Sequence, residues 1–508
     1  MKILGLNPKD FYTGWPVQSD FGRELYRSPA LTFPVLKRLL PPGHEMRFIE
    51  GFFEPITMSR YLEWIKWPDV VGFNIASSYG AISYAVAIAQ IRRLNPKAFI
   101  MAGGHHANAF ARRWLDLGVD LVVKGEAERS FPILIDELAG GRHFERVPGV
   151  VFKQDGEVVE TECAPFLENL DDSPLPDLSL INFEIYPCLI DSRGGHIGSI
   201  ETSRGCAFRC KFCAVPGYWK GAQRYKSTGR VMEEIKRLEE HRCHQINILD
   251  DGFGNDADRL EDLLAALARH PNRLNLNGFL RVDTVLKDQS VIERLADGGM
   301  RAALLGFESV NEDVLRKQFG KGMRVPPTLS DLQAMYRRFK KNNIMVVGVF
   351  ISGHPEIQPE QETPYAVART VCDDPRLADY MPFPGALGYA ELAEKYPVKD
   401  MFFHDVKLPV FPWHNVEAFR FNLFNVIDAP RTLRMLLGPA QYRMYLLWSH
   451  RMLWPKFFRL NRMKLRDFWL LRNKKKSANA RQEQLMKYYL ENPEYERWLD
   501  RQTDRVWF

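Results

Sequence analysis

The sequence predicts an α/β protein that begins with an open, doubly wound parallel sheet, continues as a full or partial parallel β/α barrel and ends in a helical domain. Three observations predict this fold class. Apolar runs such as VVGFNIAS and IMVVGVFISG end in Gly or small polar residues, as buried parallel strands do. Charged amphipathic segments of helical length separate these runs. After about residue 400 the strand-like runs stop, and the chain becomes aromatic and basic.

Length and composition bound the number of domains and the compartment. A chain of 508 residues is too long for one hydrophobic core. We therefore expect a first domain over residues 1–150, a Pro- and acid-rich connector over 151–195, the barrel over 196–400 and a helical C-terminal domain over 401–508. The seven cysteines do not resemble a disulfide framework, and neither a membrane-spanning run nor a secretory signal is recognised. These features predict a cytoplasmic protein.

The first domain is predicted from five strands in order: KILGLNP, MRFIEG, VVGFNIAS, AFIMAGG and VDLVVKG. Helices are expected over residues 83–93, 107–117 and 128–138. Ligands of doubly wound sheets bind at the carboxyl ends of the strands. These ends carry the segments NIASSY, GGHH and KGE, so the ligand site of this domain is expected there.

The barrel is predicted from a second series of six strands: HIGSIETSRGC, QINILDDGF, RLNLNGFLRVD, MRAALLGFES, IMVVGVFISG and ADYMPFPG. Amphipathic helices join these strands over roughly 200 residues, as in parallel β/α barrels. The first strand leads directly into three clustered cysteines, which makes its carboxyl end the candidate site of chemistry.

Those cysteines are Cys206, Cys210 and Cys213, in the segment TSRGCAFRCKFCAVP. Three soft thiolates on one loop favour an iron–sulfur cluster or zinc. With no fourth cysteine nearby, one iron would stay open, which suits a reactive cluster better than a structural zinc site. The alternative is a zinc knuckle whose fourth ligand is His241, His244 or Cys243. The remaining cysteines are scattered, so inert thiols are favoured over a second cluster.

The segment CAFRCKFC, with Phe212 before the last cysteine, resembles the CxxxCxxC signature of the radical S-adenosylmethionine (SAM) superfamily. The resemblance implies a [4Fe–4S] cluster on the three cysteines, with the methionine part of SAM chelating the open iron. It also implies that reductive cleavage of SAM yields a 5′-deoxyadenosyl radical, which abstracts a substrate hydrogen. The electron would come from a partner such as flavodoxin or ferredoxin.

Further segments resemble the same superfamily in order along the barrel: ILDDGFGNDADR, FLRVD, LLGFESVNEDVLR and VVGVFISGHPE. The resemblance implies that strand-end residues of these segments, together with the aromatic residue of the cysteine loop, bind the cofactor. They are Phe212, Asp250, Asp251, Arg281, Asp283, Glu308, Ser309 and Gly353. Taken singly, such a carboxylate is as often a helix cap as a ligand.

The first domain resembles the cobalamin-binding domain that precedes the barrel in one class of radical SAM enzymes. The resemblance implies that Gly103 and Gly104 admit the cobalamin tail and that Ser77 and Ser78 reach it from the preceding strand. Many such domains carry Asp-x-His-x-x-Gly after the first strand, but the segment NPKDFYTGW has no histidine. Either the lower cobalt ligand is missing or the fold persists without cobalamin. The histidines of the GGHH segment are expected to be ordinary loop residues.

The C-terminal domain concentrates the basic charge. Between Arg431 and Lys476 there are thirteen Lys or Arg and one acidic residue, Asp467, interleaved with aromatic residues. Such a segment is typical of a packed core with a solvated basic face, of a helix lying on anionic lipid, or of a nucleic-acid surface. The first interpretation is favoured, then peripheral contact with the inner face of the membrane, and nucleic acid is least favoured.

Together these features predict a radical SAM enzyme that methylates an unactivated carbon of a hydrophobic, lipid-like or natural-product substrate with cobalamin. The alternatives are a radical oxidative cyclase or rearrangement enzyme without methyl transfer, and a non-catalytic metal- or cobalamin-binding module. The sequence identifies no residue that handles the final proton or electron, and the substrate itself is not predicted.

Overall fold

The computed structural model describes residues 1–8, 28–51, 58–76, 81–188, 193–321, 326–380 and 383–395. Two mainly parallel sheets, each covered by helices, and a short antiparallel ribbon make up most of these residues. The predicted C-terminal domain and its basic segment lie outside them, and so do Ser77 and Ser78. Within the part of the chain that is described, no helix is long and apolar enough to cross a membrane.

The first sheet has seven strands in the order β2-β1-β3-β4-β5-β6-β7. The strands are β1 (Lys2–Asn7), β2 (Glu45–Glu50), β3 (Val70–Asn74), β4 (Phe99–Gly103), β5 (Leu121–Val123), β6 (Val150–Gln154) and β7 (Glu157–Glu160). The first five are parallel to one another, which confirms the predicted sheet. Its helices are Thr32–Arg38, Met58–Lys66, Ala81–Leu94, His105–Ala109, Ala111–Asp116 and Ala127–Ala139.

The last two strands form an antiparallel hairpin within the predicted connector. Asp155 and Gly156 make its turn with φ values of 51° and 86°. Both central residues of a type I′ turn need positive φ, and Asp-Gly is a favoured pair there. The first sheet therefore extends to Glu160, past the predicted boundary at residue 150.

The second sheet is an open, six-stranded parallel barrel wall in the order β15-β14-β13-β12-β11-β8. Its strands are β8 (His196–Ile200), β11 (Cys243–Ile248), β12 (Asn275–Arg281), β13 (Met300–Glu308), β14 (Met345–Ser352) and β15 (Asp374–Asp379). A separate antiparallel ribbon pairs β9 (Ser203–Gly205) with β10 (Gln223–Tyr225). The partial barrel is confirmed, but its last strand begins before the predicted segment ADYMPFPG. Pro375 made this strand hard to recognise, and proline is tolerated there because β15 is an edge strand.

Helices cover the outer face of this wall: Thr228–Glu240, Ala257–Ala268, Val282–Lys287, Val291–Asp297, Leu329–Lys341 and Tyr365–Ala368. Two further short helices, Val215–Tyr218 and Tyr389–Lys395, lie beside the loop that follows β9. Outward-facing strand residues such as Ile246, Leu280 and Phe307 pack with them in one hydrophobic core. Local caps fix the helix starts, for example Thr328, which forms a reciprocal capping box with Asp331. The carboxyl ends of the strands therefore stay free of this core.

Candidate cofactor site

The three predicted cluster ligands lie on the loop that follows β9. Cys206 and Cys210 are buried, and Cys213 is partly buried. The Asn255 amide donates a hydrogen bond to the Cys206 sulfur at 3.5 Å, and the Arg281 guanidinium donates one to the Cys210 sulfur at 3.5 Å. The Cys213 N–H donates to the Cys210 carbonyl at 3.2 Å, so the loop turns back on itself. All three thiols thus come from one compact turn.

The charge state of these thiols depends on what they bind. Burial raises the pKa of Cys213 to about 12, and the neighbouring Cys210 and Cys206 act in the same direction. Burial also raises the pKa of Cys206. Iron must therefore displace the thiol protons, since the thiolate is the ligand. Three soft sulfur donors on one loop fit an iron–sulfur cluster. Among the described residues, no three His, Cys, Asp or Glu side chains are close enough to hold a single metal ion.

The alternative zinc ligands lie elsewhere. Cys243 and His244 begin β11, at the amino-end edge of the sheet, whereas the cysteine loop leaves from the carboxyl-end edge. His241 stacks on Phe183, with ring centroids 5.0 Å apart. The structure thus separates these residues from the cysteine loop. Of the other cysteines, Cys188 and Cys372 are buried and Cys163 is exposed.

Two predicted residues at the end of β12 are paired with each other. Arg281 donates to both carboxylate oxygens of Asp283 at 2.9 Å. The same guanidinium lies 3.5 Å from the ring centre of Phe208, within the cysteine loop. Asp283 therefore acts on the loop through Arg281, which holds a positive charge beside a cluster cysteine.

The adjacent carboxylates after β11 have different surroundings. Asp250 is buried and accepts hydrogen bonds from the Thr202 N–H at 2.6 Å, the Thr202 hydroxyl at 2.5 Å and the Ser203 hydroxyl at 2.7 Å. Asp251 accepts from the Trp219 indole N–H at 3.0 Å, and burial raises its pKa to about 6. Asp250 is therefore engaged in joining two strand ends, and Asp251 lies nearer the cysteine loop.

The remaining predicted residues fall into two groups. Glu308, at the end of β13, forms an ion pair with Lys321 at 3.1 Å. Lys321 is not among the residues predicted from the sequence. Ser309 accepts a hydrogen bond from the Asn311 N–H at 3.0 Å, and the Gly353 N–H donates to the Glu362 carboxylate at 2.9 Å. The structure thus gives Ser309 and Gly353 local partners of their own.

Phe212 belongs to an aromatic group beside the cysteine loop. Its ring packs on Phe319 with centroids 5.5 Å apart, and Phe319 in turn contacts His354 and Tyr380. Burial lowers the pKa of His354 to about 4, so this histidine is neutral near pH 7. The predicted cysteines, Phe212, Asp251, Arg281 and Glu308 therefore surround one end of the barrel, and their roles toward SAM stay predictions.

A cavity of about 300 Å³ lies between the two sheets, at the carboxyl ends of β3, β4 and β5. Residues of both domains line it, including Asn74, Gly103, Gly104, His105, Gly125, Arg204, Tyr218 and Trp219. A Cβ added at Gly125 would meet no protein atom within 4 Å, and one at Gly103 would meet only Val123 at ordinary distances. These glycines leave bare backbone facing the cavity. Such a cradle has room for the tail of cobalamin, with Gly103 and Gly104 at its wall.

The two histidines after β4 differ in their surroundings. His106 is buried and accepts a hydrogen bond from the Trp114 indole at 3.1 Å, as a structural residue does. His105 lines the cavity and packs on Tyr218 of the barrel, with ring centroids 3.8 Å apart. Burial lowers the pKa of His105 to about 4, so it is neutral near pH 7. His105 therefore belongs to the cavity wall rather than to an ordinary loop.

Comparison with known proteins agrees with this geometry. The family model of the radical SAM superfamily matches residues 200–363, and that of the B12-binding domain matches residues 26–135. The chain belongs to the radical SAM enzymes that carry a cobalamin-binding domain. The enzyme is 28% identical to an uncharacterized methyltransferase of Pyrococcus horikoshii, over 76% of this chain and 82% of that protein. It is 25% identical to an anaerobic magnesium-protoporphyrin IX monomethyl ester cyclase of Synechocystis, over 70% of each chain.

A solved structure supports the same fold. It is the radical SAM methyltransferase TsrM of Kitasatospora setae with cobalamin and a [4Fe–4S] cluster bound, which matches this enzyme with a TM-score of 0.58 at 18% identity. The match covers 78% of this chain and 75% of TsrM. The predicted cofactors of the enzyme, a [4Fe–4S] cluster, SAM and cobalamin, are confirmed by these findings together.

Replacing Gly104 by alanine is expected to lower cobalamin binding by severalfold. Gly104 has a φ of 94°, and a Cβ there would lie 2.5 Å from Asn74 Oδ1 and 2.8 Å from the Ile75 carbonyl oxygen. The substitution therefore distorts two strand ends of the cavity. Bound cobalt per chain after anaerobic reconstitution measures the effect. Gly43→Ala is the control, because Gly43 has a similar φ of 85° and no neighbour within 4 Å. Equal cobalt loss in both variants would contradict the assignment.

Proposed function

We propose that this enzyme transfers a methyl group to an unactivated carbon of a hydrophobic small-molecule substrate. The observation that carries the proposal is the position of Trp219. Its side chain lines the cavity between the domains, and its indole N–H donates to Asp251, which also accepts from the Gly205 N–H at 3.3 Å. Gly205 directly precedes Cys206. The cobalamin cavity and the cluster loop are thus adjacent, as methyl transfer to a substrate radical requires.

The chain supplies binding and orientation to this reaction. When bound, the cluster with SAM supplies a 5′-deoxyadenosyl radical, and methylcobalamin supplies the methyl group. Arg281 holds positive charge at Cys210, and Asp251 and Trp219 join the loop to the cavity. Burial of Cys206 and Cys210 shields two of the three thiols from water. Each of these residues positions the reacting groups and takes no part in bond making or breaking.

The inner face of the barrel wall supports a substrate with an apolar body. Phe279 on β12 is 49% exposed and Leu249, just after β11, is 41% exposed. Their chain neighbours Leu280 and Ile248 pack outward under the helices, so strand alternation directs Phe279 and Leu249 inward. Large exposed apolar side chains at such a place indicate a binding surface. A lipid-like or natural-product substrate would lie against them.

The proposal includes the partners of the reaction. Cleavage of SAM needs an electron from a low-potential protein such as flavodoxin or ferredoxin. For the basic and aromatic segment between Arg431 and Lys476, a packed core with a solvated basic face is the favoured interpretation, and contact of that face with anionic lipid at the inner face of the membrane is the second. Nucleic acid is not expected as a partner.

The test is anaerobic reconstitution followed by turnover. We expect about four irons per chain, bound cobalamin, and 5′-deoxyadenosine on addition of dithionite and SAM. With SAM labelled in its methyl group and an extract of apolar metabolites, label should enter a product that is recovered in organic solvent. Deoxyadenosine formation with no labelled product, whether cobalamin is bound or not, would count against methyl transfer.

Radical oxidative cyclisation is the second candidate. The observation in its favour is the cyclase of Synechocystis, which matches over 70% of each chain. The same labelling experiment separates the two reactions. A cyclase consumes SAM and forms deoxyadenosine with no label in the product, and its product keeps the carbon count of the substrate.

A further inference from the structure

The strand β13 ends in a backbone conformation that is rare for residues with a side chain. Glu308 has a φ of 62°, in the left-handed region. The pairing of β13 with β14 also shifts register between Gly306 and Glu308. A Cβ added at Gly306 would lie 2.5 Å from Glu308 Oε1. The Glu308 carboxylate is therefore folded back over Gly306, and this explains why the Gly-x-Glu spacing needs glycine.

Lys321 holds the folded carboxylate in place. Its ammonium donates to Glu308 Oε1 at 3.1 Å and to the Gly306 carbonyl oxygen. The side chains of Lys321 and Glu308 are only 3% and 10% exposed. A buried ammonium and a buried carboxylate each need such a partner, since either one alone is poorly solvated. The pair thus fixes the direction of the carboxylate.

The backbone of Lys321 holds a second group. Its carbonyl oxygen accepts a hydrogen bond from Arg281 Nη2 at 2.9 Å. Arg281 Nη1 donates to the Cys210 sulfur at 3.5 Å. One residue therefore contacts both Glu308, the predicted cofactor ligand, and the arginine beside a cluster cysteine.

The two residues before Lys321 lie directly on the cysteine loop. The Phe319 carbonyl accepts a hydrogen bond from the Lys211 N–H at 2.9 Å. Gly320 has a φ of 51°, and a Cβ there would lie 2.9 Å from Lys211 Cγ. Close contact with the loop therefore depends on glycine at position 320. This contact fixes the distance between Lys321 and the cysteines.

We propose that Lys321 is a positioning residue for SAM, which orients Glu308 and Arg281 relative to the cluster and so sets the affinity for SAM. The proposal rests on the radical SAM part of the proposed function and is independent of methyl transfer. Among the described residues, Lys321 supplies the hydrogen bond to the Glu308 carboxylate. Loss of the ammonium would leave a buried carboxylate free to turn away from its place.

The test measures SAM binding to the anaerobically reconstituted enzyme by equilibrium dialysis, and the electron paramagnetic resonance (EPR) spectrum of the reduced cluster with and without SAM. We expect Lys321→Met to keep its iron and to bind SAM about tenfold or more weakly, the range for loss of a charged hydrogen bond. Its cluster spectrum should respond less to SAM. Lys321→Arg should restore part of the affinity. Lys317→Met, on the same segment but 66% exposed, is the control and should match the wild type.

Two further variants keep the proposal testable if Lys321→Met folds poorly. Gly306→Ala leaves Lys321 intact and displaces the Glu308 carboxylate, so it should weaken SAM binding to a similar degree. In Glu308→Gln, adding Lys321→Met should cause little further loss, because both changes act on one carboxylate. SAM affinity within twofold of the wild type in Lys321→Met or Gly306→Ala, or fully additive losses in the double variant, would overturn the proposal. A wild-type enzyme that forms no methylated product but binds SAM leaves this test in force and counts only against methyl transfer.

Discussion

The Cys210→Ala variant is expected to lose its iron–sulfur cluster and to form no 5′-deoxyadenosine. Three thiolates are the fewest that hold a cluster with one open iron, and Cys210 is the buried one that Arg281 contacts. Iron and sulfide content, absorption near 400 nm and deoxyadenosine formation are the measurements. We expect complete loss of deoxyadenosine formation and at least severalfold loss of iron and sulfide.

Two cysteine variants serve as controls for this result. Cys163→Ala removes an exposed thiol, and Cys243→Ala removes a thiol from the core at the far edge of the sheet. Both should keep the iron and the deoxyadenosine. Loss of iron in Cys243→Ala with no loss of stability would mean that Cys243 is a fourth metal ligand. That result would contradict a cluster held by three cysteines with one open iron.

The second large effect is expected from Arg204→Met, which should lower the free energy of unfolding by about 3–5 kcal/mol, as breaking a buried ion pair does. The Arg204 guanidinium contacts three carboxylates: Glu126 at 2.8 Å, Glu128 at 2.7 Å and Glu201 at 2.8 Å. Glu126 and Glu128 belong to the first domain and Arg204 to the second. Denaturant titration of the metal-free protein measures the change, and bound cobalamin should fall in parallel.

Arg294→Met is the matched control, because Arg294 also binds two carboxylates, Glu261 and Asp288, but in exposed surroundings. Surface pairs of this kind contribute about 0–1 kcal/mol. A loss in Arg204→Met no larger than that of the control would contradict the expected role of the buried network.

The dependence on pH gives an independent check of the network. Burial raises the pKa of Glu126, but hydrogen bonds and charge from Arg224 and Arg204 outweigh burial and hold this pKa below its ordinary value. A carboxyl whose folded pKa is depressed stabilises the fold above its unfolded pKa and loses this contribution as the pH falls through the folded pKa. The stability difference between wild type and Arg204→Met should therefore be full near pH 7 and shrink below about pH 4.

Local patterns in the sequence account for most of the fold. Buried parallel strands are recognised in the sequence as apolar runs. The predicted positions of the five parallel strands of the first sheet and of most barrel strands are therefore close to the observed ones. Three cysteines within eight residues predict a metal site without any tertiary contact, and the resemblance to the radical SAM superfamily makes that site an iron–sulfur cluster. The Asp155-Gly156 hairpin is not predicted, although its turn signal lies between two short β-type runs, because it falls within the predicted connector, whose Pro- and acid-rich residues follow it.

Contacts between distant residues explain what could not be predicted. Lys321 and Glu308 are thirteen residues apart, and Arg204 and Glu126 are seventy-eight apart. The sequence around Lys321 and Arg204 does not indicate that either side chain is buried, because a buried cation is recognised only from the carboxylate beside it in the fold. Asp250 shows the same limit, because its hydrogen bonds from Thr202 and Ser203 are visible only in the structure. Its role toward the cofactor stays a prediction.

The position of Arg204, two residues before Cys206, has a consequence for how such proteins evolve. The residue that docks the first domain and the first cluster ligand share one short stretch of chain, so selection on either constrains the other. A first domain taken from another lineage would have to bring carboxylates that match positions 126 and 128 before it could be exchanged. Recombination between such genes should therefore succeed more often when the crossover lies outside residues 126–206 than within them.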